Sequence, residues 1–500
     1  MRRLLVAAAV VALALVALLR HRPPRPARDL SQSGRSARNT HLAKVGTRAS
    51  ANYAVHSARR AFASAERRQA MDHEFELKTA AQVVEALGEM KGAMMKIGQM
   101  ASYLDSGMPA HVREALAALQ ADAPPMSAEL AAGQIRDELG ALPTELFAEW
   151  DPVPIASASI GQVHRAITTD DRAVAVKVQY PGIGEAIRAD LDNADMMFQA
   201  MGVMFPGLDP GPLVDELKLR LGEELDYRLE AEHQLLFADY YQGHPYITVP
   251  AVLPEYSTER VLTTELAPGA RWEELVEWSQ EERNLAAETI YRFVFGSLYR
   301  LGLFNGDPHP GNYLFEPGGH VTFLDFGLCK RFTDDEIEIF NEMIRQMVLE
   351  RDPAGFRSVI EEVGLLAPDA PVDDETIMEY FSHFYELVIE DEVMTVTDDY
   401  ASSTVRHVFD PTGGQRDVQR IANVPPSFVI IQRINLGLVA LLGQLAATAN
   451  WRRLAEEIWP FVDAPPSTPM GRDCQVWAQS RRGWTASNPA RMGRARSVGV

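Results

Sequence analysis

The segment N-G-D-P-H-P-G-N runs from Asn305 to Asn312, and thirteen residues after Asn312 comes Asp325 in L-D-F-G. No other feature constrains the chain as much. It sets an Asp (Asp307), an Asn five residues on (Asn312) and a second Asp (Asp325) on two loops. Between them lies a predicted hairpin, residues 313–315 and 321–324, around Pro317, Gly318 and Gly319. Phosphoryl transfer asks for this set: a carboxylate beside the nucleophile, and two oxygen ligands for the Mg²⁺ that bridges the phosphates. Asp307 is placed to orient or deprotonate the nucleophile. Asn312 and Asp325 are placed to hold Mg²⁺, which prefers oxygen ligands and keeps several waters. Either half alone reads as a Pro/Gly turn or an unrelated buried D-F-G; together, at this spacing, they do not.

Upstream, Lys177 stands inside the apolar run A-V-A-V-K-V. A lysine there is costly unless paired. The run matches the V-A-I-K strand of kinases, whose lysine holds the α- and β-phosphates and pairs with a helix glutamate. The helical stretch 212–241 offers Glu223, Glu224, Asp226, Glu230 and Glu232, and spacing alone does not choose among them. The loop ahead of the lysine departs from G-x-G-x-x-G. It reads Ala156, Ser157, Ala158, Ser159, Ile160, Gly161, with one glycine left. Backbone N–H groups and Ser hydroxyls still bind phosphate, on a stiffer loop. Glu265, closing a predicted strand at 260–265, is assigned to the nucleotide site. After D-F-G only residues 328–332 precede a helix whose T-D-D start at Thr333 is a good N-cap. That leaves no room for the activation segment that ends in A-P-E, and it argues against ordinary protein-kinase activity.

The coarse order is helices, a small sheet with inserted helices, then a helical bundle with one hairpin: an α+β pattern. Helical periodicity covers 75–104, and 126–150 reads as a helix and turn. Strands are predicted at 163–167 and 173–179 around a turn at 168–172, and at 247–252. Helices are predicted at 183–204, 212–241, 280–301, 333–350, 353–365, 374–391, 427–449 and 451–462. The apolar run 427–449 is interrupted by Arg433 and Asn435 and reads as a buried bundle helix, not a membrane span. Residues 4–19 are sixteen consecutive apolar residues flanked by arginines. They read as a membrane anchor with Arg side chains reaching the interface. A cleaved signal fits less well, because the stretch from Arg20 to Pro26 replaces a small-residue cleavage site. Residues 1–60 hold twelve Lys/Arg against one acid, Asp29, within a chain of net charge −21. The body is therefore acidic and a poor nucleic-acid binder, while the basic arm suits anionic lipid. Two cysteines, Cys329 and Cys474, support neither a disulfide framework nor a four-thiolate metal site. A cytoplasmic body, tethered to the membrane, is expected.

With these motifs the sequence resembles the UbiB/AarF atypical kinase-like family. Lys96 and Gln99 in K-I-G-Q resemble its K-x-G-Q motif, Ala156 to Ser159 its alanine-rich loop, and Glu224 and Asp226 its E-x-D motif. Ser157 stands where the family commonly has alanine. The resemblance makes Glu230, six residues after Glu224, the partner of Lys177. It implies a two-lobed protein-kinase-like fold with a helical N-terminal extension over the substrate site and a mostly helical C-lobe. It also implies ATP/ADP and Mg²⁺ as cofactors, and ATPase or phosphotransferase chemistry in isoprenoid-quinone or membrane-lipid homeostasis. The segments are then an anchor at 1–21, a basic Pro/Ser-rich linker at 22–40, and the extension at 41–150. The N-lobe takes 151–267, the C-lobe 268–465, and a basic, disordered tail 466–500.

Two alternatives stand beside this reading: a small-molecule kinase of the aminoglycoside-phosphotransferase type, which lacks the K-x-G-Q helix, and a non-catalytic nucleotide-gated lipid-binding module. The expected role of Lys96 is a clamp on Glu224 and Asp226 that keeps peptides out, through charge-assisted hydrogen bonds of about 1–3 kcal/mol. A Lys96→Ala variant is expected to keep nucleotide binding and, with labelled ATP, to label itself or change its ATPase rate. If neither changes, Lys96 is a solvated helix residue.

Overall fold

The computed structural model describes residues 126–158, 160–185, 222–306, 308–368, 370–409 and 426–481. Two compact units divide the chain: Met1–Tyr227 with Pro254–Thr263, and Arg228–Leu253 with Thr264–Val500.

In the first unit, Ser127 caps helix α1 (Ala128–Leu139) by accepting the Leu130 N–H, and Ala131 and Ile135 bury its inner face. A short turn of helix, α2 (Pro143–Leu146), leads into strand β1 (Phe147–Trp150), where helix and turn alone were expected. Strand β2 (Ala156–Ala158) forms where a loop was expected, and β3 (Gly161–Thr168) and β4 (Ala173–Gln179) follow as the predicted hairpin. The β3–β4 turn is held by the Thr168 hydroxyl, which accepts the Arg172 N–H at 3.0 Å and donates to Asp170 at 2.6 Å. The sheet order is β1-β3-β4-β6, β6 being Val261–Glu265, and β2 pairs with β3 off this path. Strand alternation explains β4: Val174, Val176 and Val178 are fully buried on one face, and Lys177 lies on the other.

The second unit takes all but the first residue of helix α3 (Tyr227–Tyr240), then strand β5 (Ile247–Thr248). Strand β6 (Val261–Glu265) ends in it, and the turn of helix α4 (Trp272–Leu275) precedes α5 (Gln280–Leu301). Ser279 and the left-handed Gly302 close α5 at the predicted ends. Next come β7 (Leu303–Asn305), β8 (Tyr313–Glu316), β9 (His320–Phe323) and β10 (Cys329–Arg331). Strands β5, β9 and β8 form one small sheet, and β7 pairs with β10 in another. Helices then dominate: α6 (Asp334–Ile344), α7 (Pro353–Glu362), α8 (Asp374–Ser382) and α9 (Glu386–Ile389). Strand β11 (Met394–Thr395), helices α10 (Asp398–Phe409) and α11 (Pro426–Gln444), strand β12 (Thr448–Ala449) and helix α12 (Trp451–Ile458) complete the bundle. Ile434, Leu438, Leu441 and Leu442 put α11 in the core, as the interrupted apolar run predicted. Among the described residues no helix is long and apolar enough to cross a membrane. The expected anchor at 4–19 and the K-x-G-Q helix lie outside the described residues.

The tail expected to be disordered instead begins with helix α13 (Pro469–Ser480). Its hold is tertiary. Met470 is buried, the Trp477 ring stacks 5.8 Å from that of Tyr241, and Tyr246 donates to Asp473 at 2.6 Å. Arg292 of α5 anchors the start of this segment: its guanidinium bonds Glu288 and Glu457, each at 2.8 Å, all three side chains under a tenth exposed. Thr468, the N-cap of α13, donates to Glu288 at 2.6 Å. Removing the cation strands two buried carboxylates, so Arg292→Ala is expected to cost about 3–5 kcal/mol. Urea denaturation of the full chain measures this; a loss below about 1 kcal/mol rejects the buried-triad account.

Candidate functional site

In the first unit, β2 folds back on β3 as a tight hairpin, with Ala156 opposite Val163, Ser157 opposite Gln162 and Ala158 opposite Gly161. The one glycine of this loop is kept for packing: a Cβ on Gly161 would lie 2.3 Å from the Val178 carbonyl oxygen. Lys177 is the register partner of Val163 on β3, so the two share a face with Ala175. The Lys177 ammonium lies 5.0 Å from the ring centroid of buried Tyr227, a cation–π contact that lets the stem stay half-buried. Glu224 and Asp226 sit in the turn before Tyr227, and Gln179 at the end of β4 donates to the Leu225 carbonyl between them at 2.9 Å.

In the second unit the D-F-G segment is held from three sides. Asn305 donates its amide to the Asp325 carbonyl at 2.8 Å, Gly327 donates its N–H to Asp325 Oδ1 at 3.0 Å, and the Phe326 ring packs on Phe237 of α3 at 4.9 Å. His233 of α3 donates Nδ1–H to the Phe326 carbonyl at 3.2 Å, and burial holds this imidazole below its usual range. Glu230, one turn earlier on the helix, is buried. The space above Gly327 is flanked by two carboxylates: a Cβ there would stand 3.4 Å from Asp325 Oδ1 and 3.5 Å from Glu230 Oε2. Asn312 ends a one-turn 3-10 helix capped by His309, and its carbonyl accepts the Leu324 N–H at 3.0 Å, which ties the two loops together. Helix α11 braces the same place. Ile434 reaches Gly306, and Gly437 lies against Pro308, where a Cβ would meet the proline ring at 2.4 Å. Glu265 is exposed, and its carboxylate accepts the Ala251 N–H at 3.3 Å.

The chain after D-F-G closes at once. Strand β10 pairs with β7, Cys329 opposite Asn305, and Gly306 donates to the Leu328 carbonyl at 2.6 Å. Thr333 then caps α6 in a reciprocal box with Glu336. The missing activation segment is thus a backbone fact. Asp307, Ser159, Lys96 and Gln99 lie outside the described residues, and Lys177 and Glu230 belong to different units. Sequence reasoning missed Asn305, His233, Gly437 and the buried pair Gln162 and His164. Only the last two left a signal, as polar residues at alternate positions of a strand.

Fold and site define a protein-kinase-like, α+β protein in which the loops of Asn312 and Asp325 are tied together and D-F-G passes directly into a capped helix. The model of the ABC1 atypical kinase-like domain matches residues 118–359. Among solved structures, Rv3197 from Mycobacterium tuberculosis, in complex with erythromycin, is 32% identical with a TM-score of 0.58; the match covers 79% of this chain and 100% of that one. "Atypical kinase COQ8, mitochondrial" of Saccharomyces cerevisiae is 28% identical over 76% of each chain. "Atypical kinase COQ8B, mitochondrial" of Rattus norvegicus is 34% identical over 52% of this chain and 50% of its own. The chain belongs to the ABC1 atypical kinase-like family, the UbiB/AarF group.

Gly161→Ala tests the hairpin geometry. The added methyl must push β3 from β4 or distort the turn, at about 1–3 kcal/mol. A thermal melt unchanged from the parent contradicts the close approach.

Proposed function

We propose that this chain is a Mg²⁺-dependent atypical kinase of the ATP-hydrolysing kind, serving an isoprenoid-quinone precursor or membrane lipid and not a protein substrate. The observation that carries it is the direct passage from D-F-G through β10 into capped α6. The first unit supplies Lys177 for the phosphates and the hairpin of Ala156, Ser157, Ala158 and Ser159 for their oxygens. The second supplies Asn312 and Asp325, Asp307 as the base, and Glu230 as the counter-charge for Lys177. Glu265 stays assigned to the nucleotide. The donor set suits Mg²⁺: an amide and a carboxylate, all oxygen, with no side chain on Gly327 to fill the space beside Asp325. When bound, the ion neutralises charge on the phosphate oxygens. Asn305 and the Gly327 N–H orient Asp325 before nucleotide arrives, so little reorganisation is left for the reaction. Lipid or quinone as the ligand class rests on the family and on relatives named as mitochondrial atypical kinases. Residues 4–19 are proposed as the membrane tether of a cytoplasmic body.

Phosphate release from ATP, measured with and without detergent and a quinone analogue, tests this. Mg²⁺-dependent hydrolysis that rises with the analogue is expected. Asp325→Asn should lower it at least about a hundredfold and abolish Mg²⁺-dependent nucleotide binding. ATP binding without turnover would favour the non-catalytic module, and unchanged affinity of Asp325→Asn in a Mg²⁺ titration would reject the metal assignment.

A further inference from the structure

Gln162 and His164 lie on the core-facing side of β3, both fully buried. Polar groups in such a place cost about 1–3 kcal/mol each when left unmet. Here they meet one another and two distant backbone segments. His164 Nδ1 is 2.9 Å from the Asp151 carbonyl oxygen, which can only accept, so Nδ1 carries the proton. Nε2 is then an acceptor and takes the Gln162 amide N–H at 2.8 Å. That orients the amide: its Oε1 faces the Met126 N–H at 2.9 Å, and its Nε2 also lies 3.4 Å from the Met126 carbonyl. The His164 ring stacks on Trp150 at 4.6 Å, which fixes its plane.

The three segments joined are not arbitrary. Asp151 follows β1 and begins the lead-in to β2, so its carbonyl marks one root of the alanine-rich hairpin. Gln162 is the register partner of Ser157 and marks the other root. Met126 directly precedes Ser127, the N-cap of α1. One buried polar relay therefore ties both roots of the hairpin to the start of α1.

We propose that Gln162 and His164 are positioning residues for the hairpin: they fix Ser157 and its neighbours relative to Met126 at the start of α1, and they make nucleotide affinity depend on that link. This rests on the reading of Ala156, Ser157, Ala158 and Ser159 as the phosphate loop.

The test uses the full chain with a fluorescent ATP analogue and Mg²⁺. Gln162→Glu still accepts from Met126 but presents an acceptor to His164 Nε2. The ring must take a second proton or let go. Expected are an affinity about tenfold weaker, the loss of about one buried hydrogen bond, and faster amide exchange at Ala156, Ala158 and Met126 together. The ¹⁵N spectrum should show His164 as a neutral Nδ1–H ring in the parent and doubly protonated in the variant. Ala158→Asp, which puts a carboxylate into the hairpin, separates the two claims. If Ala158→Asp binds the analogue like the parent, the phosphate-loop reading fails. If it loses binding while Gln162→Glu keeps affinity within twofold and exchange unchanged, the positioning role is overturned. Should the variant not fold, an Nε2–H ring in the parent spectrum overturns the relay by itself.

Discussion

The pairing of Leu303–Asn305 with Cys329–Arg331 is the constraint on which the second unit's chemistry depends. It is three residues per strand, yet it sets both ends of the reaction loops. Asn305 sits at its end and turns its amide onto the carbonyl of Asp325, so the strand pair and Asp325 cannot move apart. Gly306 bonds across to Leu328, and Pro308 is trapped under Gly437 of α11. A loop held by backbone bonds on one side and by a core helix on the other is preorganised without ligand.

Much of this could be read from the residues. The β3–β4 hairpin announced itself because Val174, Val176 and Val178 alternate with Ala175 and Lys177, the pattern of a strand with one buried face. Helix α5 was read at 280–301, the bounds that Ser279 as N-cap and Gly302 as C-cap set. The spacing of Asn312 and Asp325 was legible because phosphoryl-transfer chemistry asks for it. What was not legible has physical reasons. Strands β1, β7 and β10 have three or four residues, too few to show a period. Helix α13 sits in a Pro-, Ser- and Arg-rich stretch and owes its place to Trp477 on Tyr241 and to Thr468 on Glu288, contacts that no local window contains. Gln162 and His164 occupy core positions with polar groups, and the partners that make this tolerable, Asp151 and Met126, are distant in sequence. The placing of Asp307, Ser159, Lys96 and Gln99 rests on motif alone.

Helix α3 shows how one element serves two ends. Glu230 and His233 bear on Gly327 and Phe326, Phe237 packs on Phe326, and one turn later Tyr241 meets Trp477 of α13. Phe293 of α5 touches Phe237, Tyr241 and Phe323, so the aromatic cluster runs from the D-F-G turn to the C-terminal helix without a polar break. Packing of that density moves in discrete steps, not by gradual drift.

The brevity of the chain between Gly327 and Thr333 has a consequence for control. In many kinases a long segment here is ordered by a phosphate group, which makes the enzyme a covalent memory of an upstream signal. Here those residues are already spent as a strand whose N–H and carbonyl groups are paired, and the next residue is a helix cap. Between Gly327 and Thr333 there is no slack to refold and no loop for a phosphate to organise. A phosphate added there would have to break a paired strand, where in those kinases it orders a loose one.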